Sequence, residues 1–91
     1  MTVAITLESR PRLPGYLRLQ WEEVQQAWVL LYPEGMVKLN GSAGEIMRRL
    51  DGKKTVQDVV GELEHAFDAA DLAGDVLDFL AIAQERGWVQ A

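Results

Sequence analysis

From Leu17 the chain alternates. Leu17, Leu19 and Trp21 fall on one side, and Arg18, Gln20 and Glu22 on the other. That is the signature of a half-buried strand. The stretch Glu22–Ala27 breaks the pattern, and a second strand is expected at Trp28–Tyr32. There both sides are apolar, with Trp28, Leu30 and Tyr32 on one and Val29 and Leu31 on the other. A strand apolar on both faces sits centrally or is covered on both sides. Pro33-Glu34-Gly35 reads as a turn into a third strand, Met36–Asn40. Val37 and Leu39 point one way, and Met36, Lys38 and Asn40 the other. Three consecutive strands with short links predict an antiparallel meander.

The period then changes to that of helices. Ser42 with Glu45 three residues on has capping-box spacing, and Ala43, Ile46, Met47 and Leu50 form one stripe. Asp51-Gly52 closes this helix. Thr55 with Asp58 opens a second, striped by Val56, Val59, Val60, Leu63 and Phe67. A third runs from about Asp71 to Arg86, with Gly87 suited to a left-handed cap. Trp88 and Val89 then return to the core. The fold class is α+β: a three-stranded antiparallel meander followed by three helices, a winged-helix-like arrangement. Residues 1–15, with Pro11, Pro14 and Gly15, read as a flexible N-terminal arm, and residues 16–91 as the domain. The β-prone run Thr2–Leu7 gives the arm the means to add a strand somewhere.

Composition adds exclusions. The chain has 91 residues, 48% hydrophobic and 25% charged, which is one ordinary globular domain. It has no Cys and one His, so disulfides, thiolate nucleophiles and common zinc sites are absent. His65 falls opposite the stripe of its helix. Ser42 is read as a cap and Ser9 lies in the arm, so neither forms a hydrolase elbow with it. The glycines are scattered and make no phosphate-cradling loop. No enzyme, cofactor or metal is expected. No apolar run approaches the roughly 18–20 residues of a membrane span. The N-terminus lacks the pattern of a signal peptide, so a cytoplasmic location is expected.

Net charge is −5, spread unevenly: residues 1–54 carry +2 and residues 55–91 carry −7. The acidic half repels phosphate backbones and suits a basic peptide. A winged-helix DNA-binding regulator is the competing reading, since the two short helices resemble a helix-turn-helix. However, the second helix offers Gln57, Asp58, Glu62 and Glu64 where a recognition helix needs Lys or Arg. Binding of another kind is left. The third helix is apolar over a wide arc. Its stripe is Leu72, Val76, Phe79, Leu80 and Ala83, with Leu77 on one flank and Ile82 near Asp75 and Asp78.

Two runs carry a family resemblance: YPEGMVKLNGSAGEIMRRLDGKKTVQDVVGELEHAF and DVLDFLAIAQERGWV. Together they resemble the PqqD family, small peptide chaperones of pyrroloquinoline quinone biosynthesis, over about residues 16–90. The most specific pieces are Tyr32-Pro33-Glu34-Gly35, Leu39-Asn40, Asp51-Gly52 with Thr55, and Asp75-Val76 with Phe79-Leu80. Where many members have Cys before Asp-Gly, this chain has Leu50. The resemblance implies a recognition element for ribosomally made, modified peptides. Such a domain binds the precursor peptide PqqA and presents it to the radical S-adenosylmethionine enzyme PqqE. It also implies that the peptide lies as an added strand along the third strand, beside the third helix.

Strand physics agrees with that implication. The third strand of a meander is an edge, and its unpaired backbone groups are a template for another strand. The expected peptide site is Met36, Val37, Lys38, Leu39 and Asn40 on that strand, facing Asp75, Val76, Phe79, Leu80 and Ala83 on the third helix. Asp75 and Asp78 are placed to meet Lys or Arg of the peptide. The same edge could pair a second copy, so a monomer and an edge-strand homodimer are both open. Whether the N–H of Leu39 points outward depends on register.

Overall fold

Cross-strand rows decide which side of the sheet is buried. In the computed structural model, which describes residues 3–91, β1 (Arg18–Glu22), β2 (Ala27–Tyr32) and β3 (Gly35–Lys38) form one antiparallel sheet in the order β1-β2-β3. The first two residues of the expected arm lie outside the described residues. Leu19 faces Leu30, which faces Val37, and Trp21 faces Trp28. Because side chains alternate, these rows share one face. Against it pack α1 (Gly41–Met47), α2 (Val56–Ala66) and α3 (Ala73–Glu85). Leu30, Met47, Val56, Val59 and Leu80 are the fully buried centre of the core. This is the α+β order expected from the pattern of apolar positions.

The helix starts differ in detail from expectation. The cap of α1 is Asn40 rather than Ser42: its Oδ1 accepts the Ala43 N–H at 2.8 Å, and its carbonyl accepts the Gly44 N–H at 2.9 Å. Glu45 therefore does not close a capping box. It pairs with Arg48 and Arg49, at 3.2 and 2.7 Å. For α2 the expected box is present. Thr55 Oγ1 accepts from Asp58 N, and Asp58 Oδ2 accepts from Thr55 N, each at 3.0 Å. α3 begins at Ala73, not near Asp71, because Asp71 sits at φ +60°, outside helical geometry. Its first free donor, Leu72 N–H, is taken by Glu64 Oε2 at 3.0 Å. Gly87 follows α3 at φ +79°, the left-handed position a glycine fills without steric cost.

The described part of the arm lies along the helices. The Val56 and Gln57 N–H groups, orphaned in the first turn of α2, donate to the carbonyls of Ser9 and Leu7 at 2.9 and 3.0 Å. Gly52 N–H donates to Pro11 O, and Arg12 exchanges backbone bonds with Gln90. Ile5, Leu7 and Leu13 pack against the core, and Pro11 is fully buried. These backbone bonds run to α2, to the link before it and to the C-terminal segment, not to the β3 edge.

A charge network ties α1 to α2. The Arg49 side chain, only 10% exposed, reaches Glu45 at 2.7 Å and Glu62 at 3.5 Å. Its guanidinium holds the Glu45 carboxyl below the usual carboxylate range. Asp51 is lowered by the backbone N–H groups of Lys54 and Lys53, and Asp58 by the backbone N–H and then the side chain of Thr55. All three shifts have the same sign: the folded state prefers the ionised form. Their contribution is complete above the unfolded carboxylate range, at about pH 4–5, and is lost as pH falls through the lower folded values. The urea midpoint should thus fall between pH 6 and pH 3. Asp58→Asn keeps an acceptor for the Thr55 N–H but cannot titrate, so its midpoint should fall by less over the same range. An equal fall in both proteins would remove Asp58 from the account.

Candidate functional site

The free edge of β3 can be read from one hydrogen bond. Leu39 N–H donates to Trp28 O at 2.9 Å, continuing the register in which Val37 faces Leu30. Backbone groups of successive residues in an antiparallel strand point to opposite sides. Val37 and Leu39 therefore direct their N–H and C=O groups inward to β2. Met36 and Lys38 direct theirs outward, where no strand of the sheet pairs with them. Side chains alternate as well: Val37 and Leu39 project to the helices, and Met36 and Lys38 to the opposite face.

An open cavity of about 660 Å³ lies at the far end of this edge. Its walls are mainly Trp21, Trp28, Leu39, Ile46, Leu63 and Val76. Asn40 and Asp75 supply polar groups on its lining, and Phe67 and Leu72 bound it at the link from α2 to α3. Two aromatic rings shape it. Trp21 and Trp28 meet edge to face, with centroids 5.5 Å apart and planes at 65°. Trp21 Nε1–H donates to Glu23 Oε2 at 2.8 Å, which fixes the ring above the β1–β2 turn. Gln26, at φ +52°, closes that turn. The cavity is thus an apolar recess with an exposed aromatic rim, since Trp21 is 41% and Phe67 55% exposed.

The predicted site residues fall into separate groups. Leu39, Asn40, Asp75 and Val76 come together on the cavity. Val37 and Phe79 are half-buried and pack against the core. Leu80 and Ala83 are fully buried and present no surface. Met36 and Lys38 are exposed, on the face away from the helices. Sequence reasoning treated Trp21 and Trp28 only as strand positions. Their meeting on one row across the β1–β2 turn was the signal available for them. Among the described residues no group of His, Cys, Asp or Glu could hold a metal ion, and no helix is long and apolar enough to cross a membrane.

Comparison with known proteins follows the same outline. A "PqqA binding protein" of Azotobacter vinelandii is 45% identical over 86 residues, covering 93% of this chain and 94% of the relative. One from Acinetobacter baylyi is 49% identical over 76 residues, 82% of this chain and 76% of that one. The fold matches the solution structure of the PqqD truncation of Methylobacterium extorquens PqqCD, described as a functional, stand-alone recognition element for ribosomally synthesised and post-translationally modified peptides. The TM-score is 0.82 at 30% identity, covering 97% of this chain and 96% of that one. The family model for coenzyme PQQ synthesis protein D matches residues 27–89, from the start of β2 to the buried Val89. With the meander, the open edge and these matches in agreement, the chain belongs to the PqqD family.

Proposed function

We propose that this protein binds the precursor peptide PqqA as an added strand on β3 and presents it to the radical S-adenosylmethionine enzyme PqqE. The observation that carries this reading is the outward backbone of Met36 and Lys38 on an edge that ends at an apolar cavity. Relatives named for PqqA binding, and the fold of a peptide recognition element, support it. Backbone pairing along the edge supplies affinity without regard to sequence, and pockets for alternate side chains supply selectivity. The helix-facing side chains of the added strand extend the row of Val37 and Leu39 and reach toward α3. One large apolar side chain fits between Trp28 and Val76, and Asp75 beside it suits a neighbouring Lys or Arg. The domain acts by binding and positioning, and the chemistry belongs to the enzyme it serves. The exposed groups of α2 include Gln57 and Asp58, so a DNA-reading role gains no support.

An NMR titration of isotope-labelled protein with synthetic PqqA tests the reading. Shifts are expected at residues 36–40, at Trp21 and Trp28, and along residues 72–79. Leu80 and Ala83 should move less than Asp75, being sealed in the core. An unchanged spectrum, with peptide alone and again after PqqE is added, would remove the proposal. Peptide-independent line broadening that grows with protein concentration would instead assign the edge to a second copy of the chain.

A further inference from the structure

The sheet has a second face that the helices do not touch. Two cross-strand rows cross it: Arg18, Leu31 and Met36, then Gln20, Val29 and Lys38. Neither Val29, Leu31 nor Met36 belongs to the core cluster or packs against it. Val29 is buried in its row between Gln20 and Lys38, Leu31 is half-buried, and Met36 is 48% exposed. Val29 is sealed, so the apolar surface this face offers is Leu31 and Met36, with a cation at each of two opposite corners. Arg18 and Lys38 are exposed, and neither forms an ion pair among the described residues. The one carboxylate on this face, Glu22, accepts from Gln20 Nε2 at 3.0 Å. In a chain of net charge −5, this face has the opposite sign to the acidic C-terminal half. It therefore selects a partner surface that is acidic around an apolar centre.

β3 links this face to the open edge. Met36 and Lys38 offer backbone groups at the edge and side chains on the outer face. A strand added at the edge continues the pleat, so every second side chain of that strand emerges beside Met36 and Lys38. A protein seated on the outer face would touch carrier and peptide together. We infer that the outer face of the sheet docks the modifying enzyme, through an acidic, apolar-centred patch on that enzyme, and that the bound peptide completes the docking surface as its outermost strand. The inference rests on the strand-addition reading above.

The test measures two affinities, for synthetic PqqA and for purified PqqE with PqqA present, in the wild-type protein and in Arg18→Glu and Arg18→Glu/Lys38→Glu. Arg18 lies on β1, with β2 between it and the peptide edge, so Arg18→Glu should leave peptide affinity within about twofold. Enzyme affinity should weaken by about tenfold in the double variant, and its dependence on salt should flatten. Glu85→Lys, a charge reversal at the end of α3, should leave enzyme affinity unchanged. All three reversed positions are exposed, and a native amide spectrum confirms folding. Undiminished enzyme affinity in the folded double variant overturns the inference while leaving peptide binding standing. A wild-type protein that binds no peptide overturns the strand-addition reading, and the inference with it. A wild-type protein that binds peptide but no enzyme overturns the inference and the presentation step, and leaves strand addition standing.

Discussion

Gly44→Ala should lower stability by about 1–2 kcal/mol, although the same exchange in an open helix raises it by up to ~1 kcal/mol. The reason is the approach of α1 to the sheet. A Cβ on Gly44 would stand 2.8 Å from Trp28 Cδ1, 3.1 Å from its Cβ and 3.2 Å from its Cγ. The Trp28 Cβ is fixed to β2 and cannot swing aside. The ring has Trp21 against it at 5.5 Å and the cavity beyond. Either α1 lifts from β2 or the ring turns into the cavity, and an overpacked core costs about 1–3 kcal/mol. Each kcal/mol should lower the melting temperature by about 4–8 °C in a domain of this size. Gly61→Ala is the control. It lies within α2, exposed, with nothing within 4 Å of the added methyl, so it should melt higher than wild type. Thermal unfolding of both variants, followed by tryptophan fluorescence, decides the matter. A Gly44→Ala protein as stable as Gly61→Ala would mean that α1 and Trp28 are looser than the structure has them. A well-folded Gly44→Ala protein should also lose peptide affinity, because Trp28 is a cavity wall.

What the sequence made legible was local. The alternation at Leu19 and Trp21, and the two-sided apolar run at Val29–Leu31, announce strands because each strand repeats its environment every second residue. Thr55 and Asp58 announce a helix start because donor and acceptor lie three residues apart. Legibility fails where two elements share a boundary. Asn40 ends β3 as plausibly as it caps α1, and Ser42 with Glu45 mimics a capping box. Only the position of the Ala43 N–H separates the two readings, and it bonds to Asn40. The contacts of the arm join residues far apart in sequence, such as Leu7 with Gln57 and Arg12 with Gln90, and no local pattern encodes them. The candidate site divides in the same way. The stripe of α3 was visible as a stripe. Which members face a cavity, as Val76 does, and which are sealed, as Leu80 and Ala83 are, depends on the neighbours that close over them. Register is the third hidden quantity, and it governs how the edge can be tested.

Lys38→Pro should abolish peptide binding in a protein that stays folded. Proline removes a backbone donor and fixes φ near −65°, so its effect depends on where the lost N–H pointed. Sequence reasoning alone would choose Leu39→Pro, on the condition that the Leu39 N–H faces outward. It does not: it donates to Trp28 O at 2.9 Å. Leu39→Pro would therefore break a bond inside the sheet and empty a buried apolar position, and lost binding would report lost structure. The Lys38 N–H points away from β2, so its removal leaves the β2–β3 ladder intact. The edge is also where a strand tolerates proline. An added strand would lose one backbone bond, and the ring would block its approach. The drop in affinity should exceed tenfold, since proline on an edge is itself a device against strand pairing. Lys38→Ala separates backbone from side chain: if pairing runs through main-chain atoms, it should bind PqqA within about threefold of wild type. Calorimetry on the two variants, with amide spectra to show that each is folded, gives the comparison. A folded Lys38→Pro protein that binds as tightly as Lys38→Ala would place the peptide off the β3 edge. The apolar cavity beyond Asn40 would then have to hold the peptide without strand pairing.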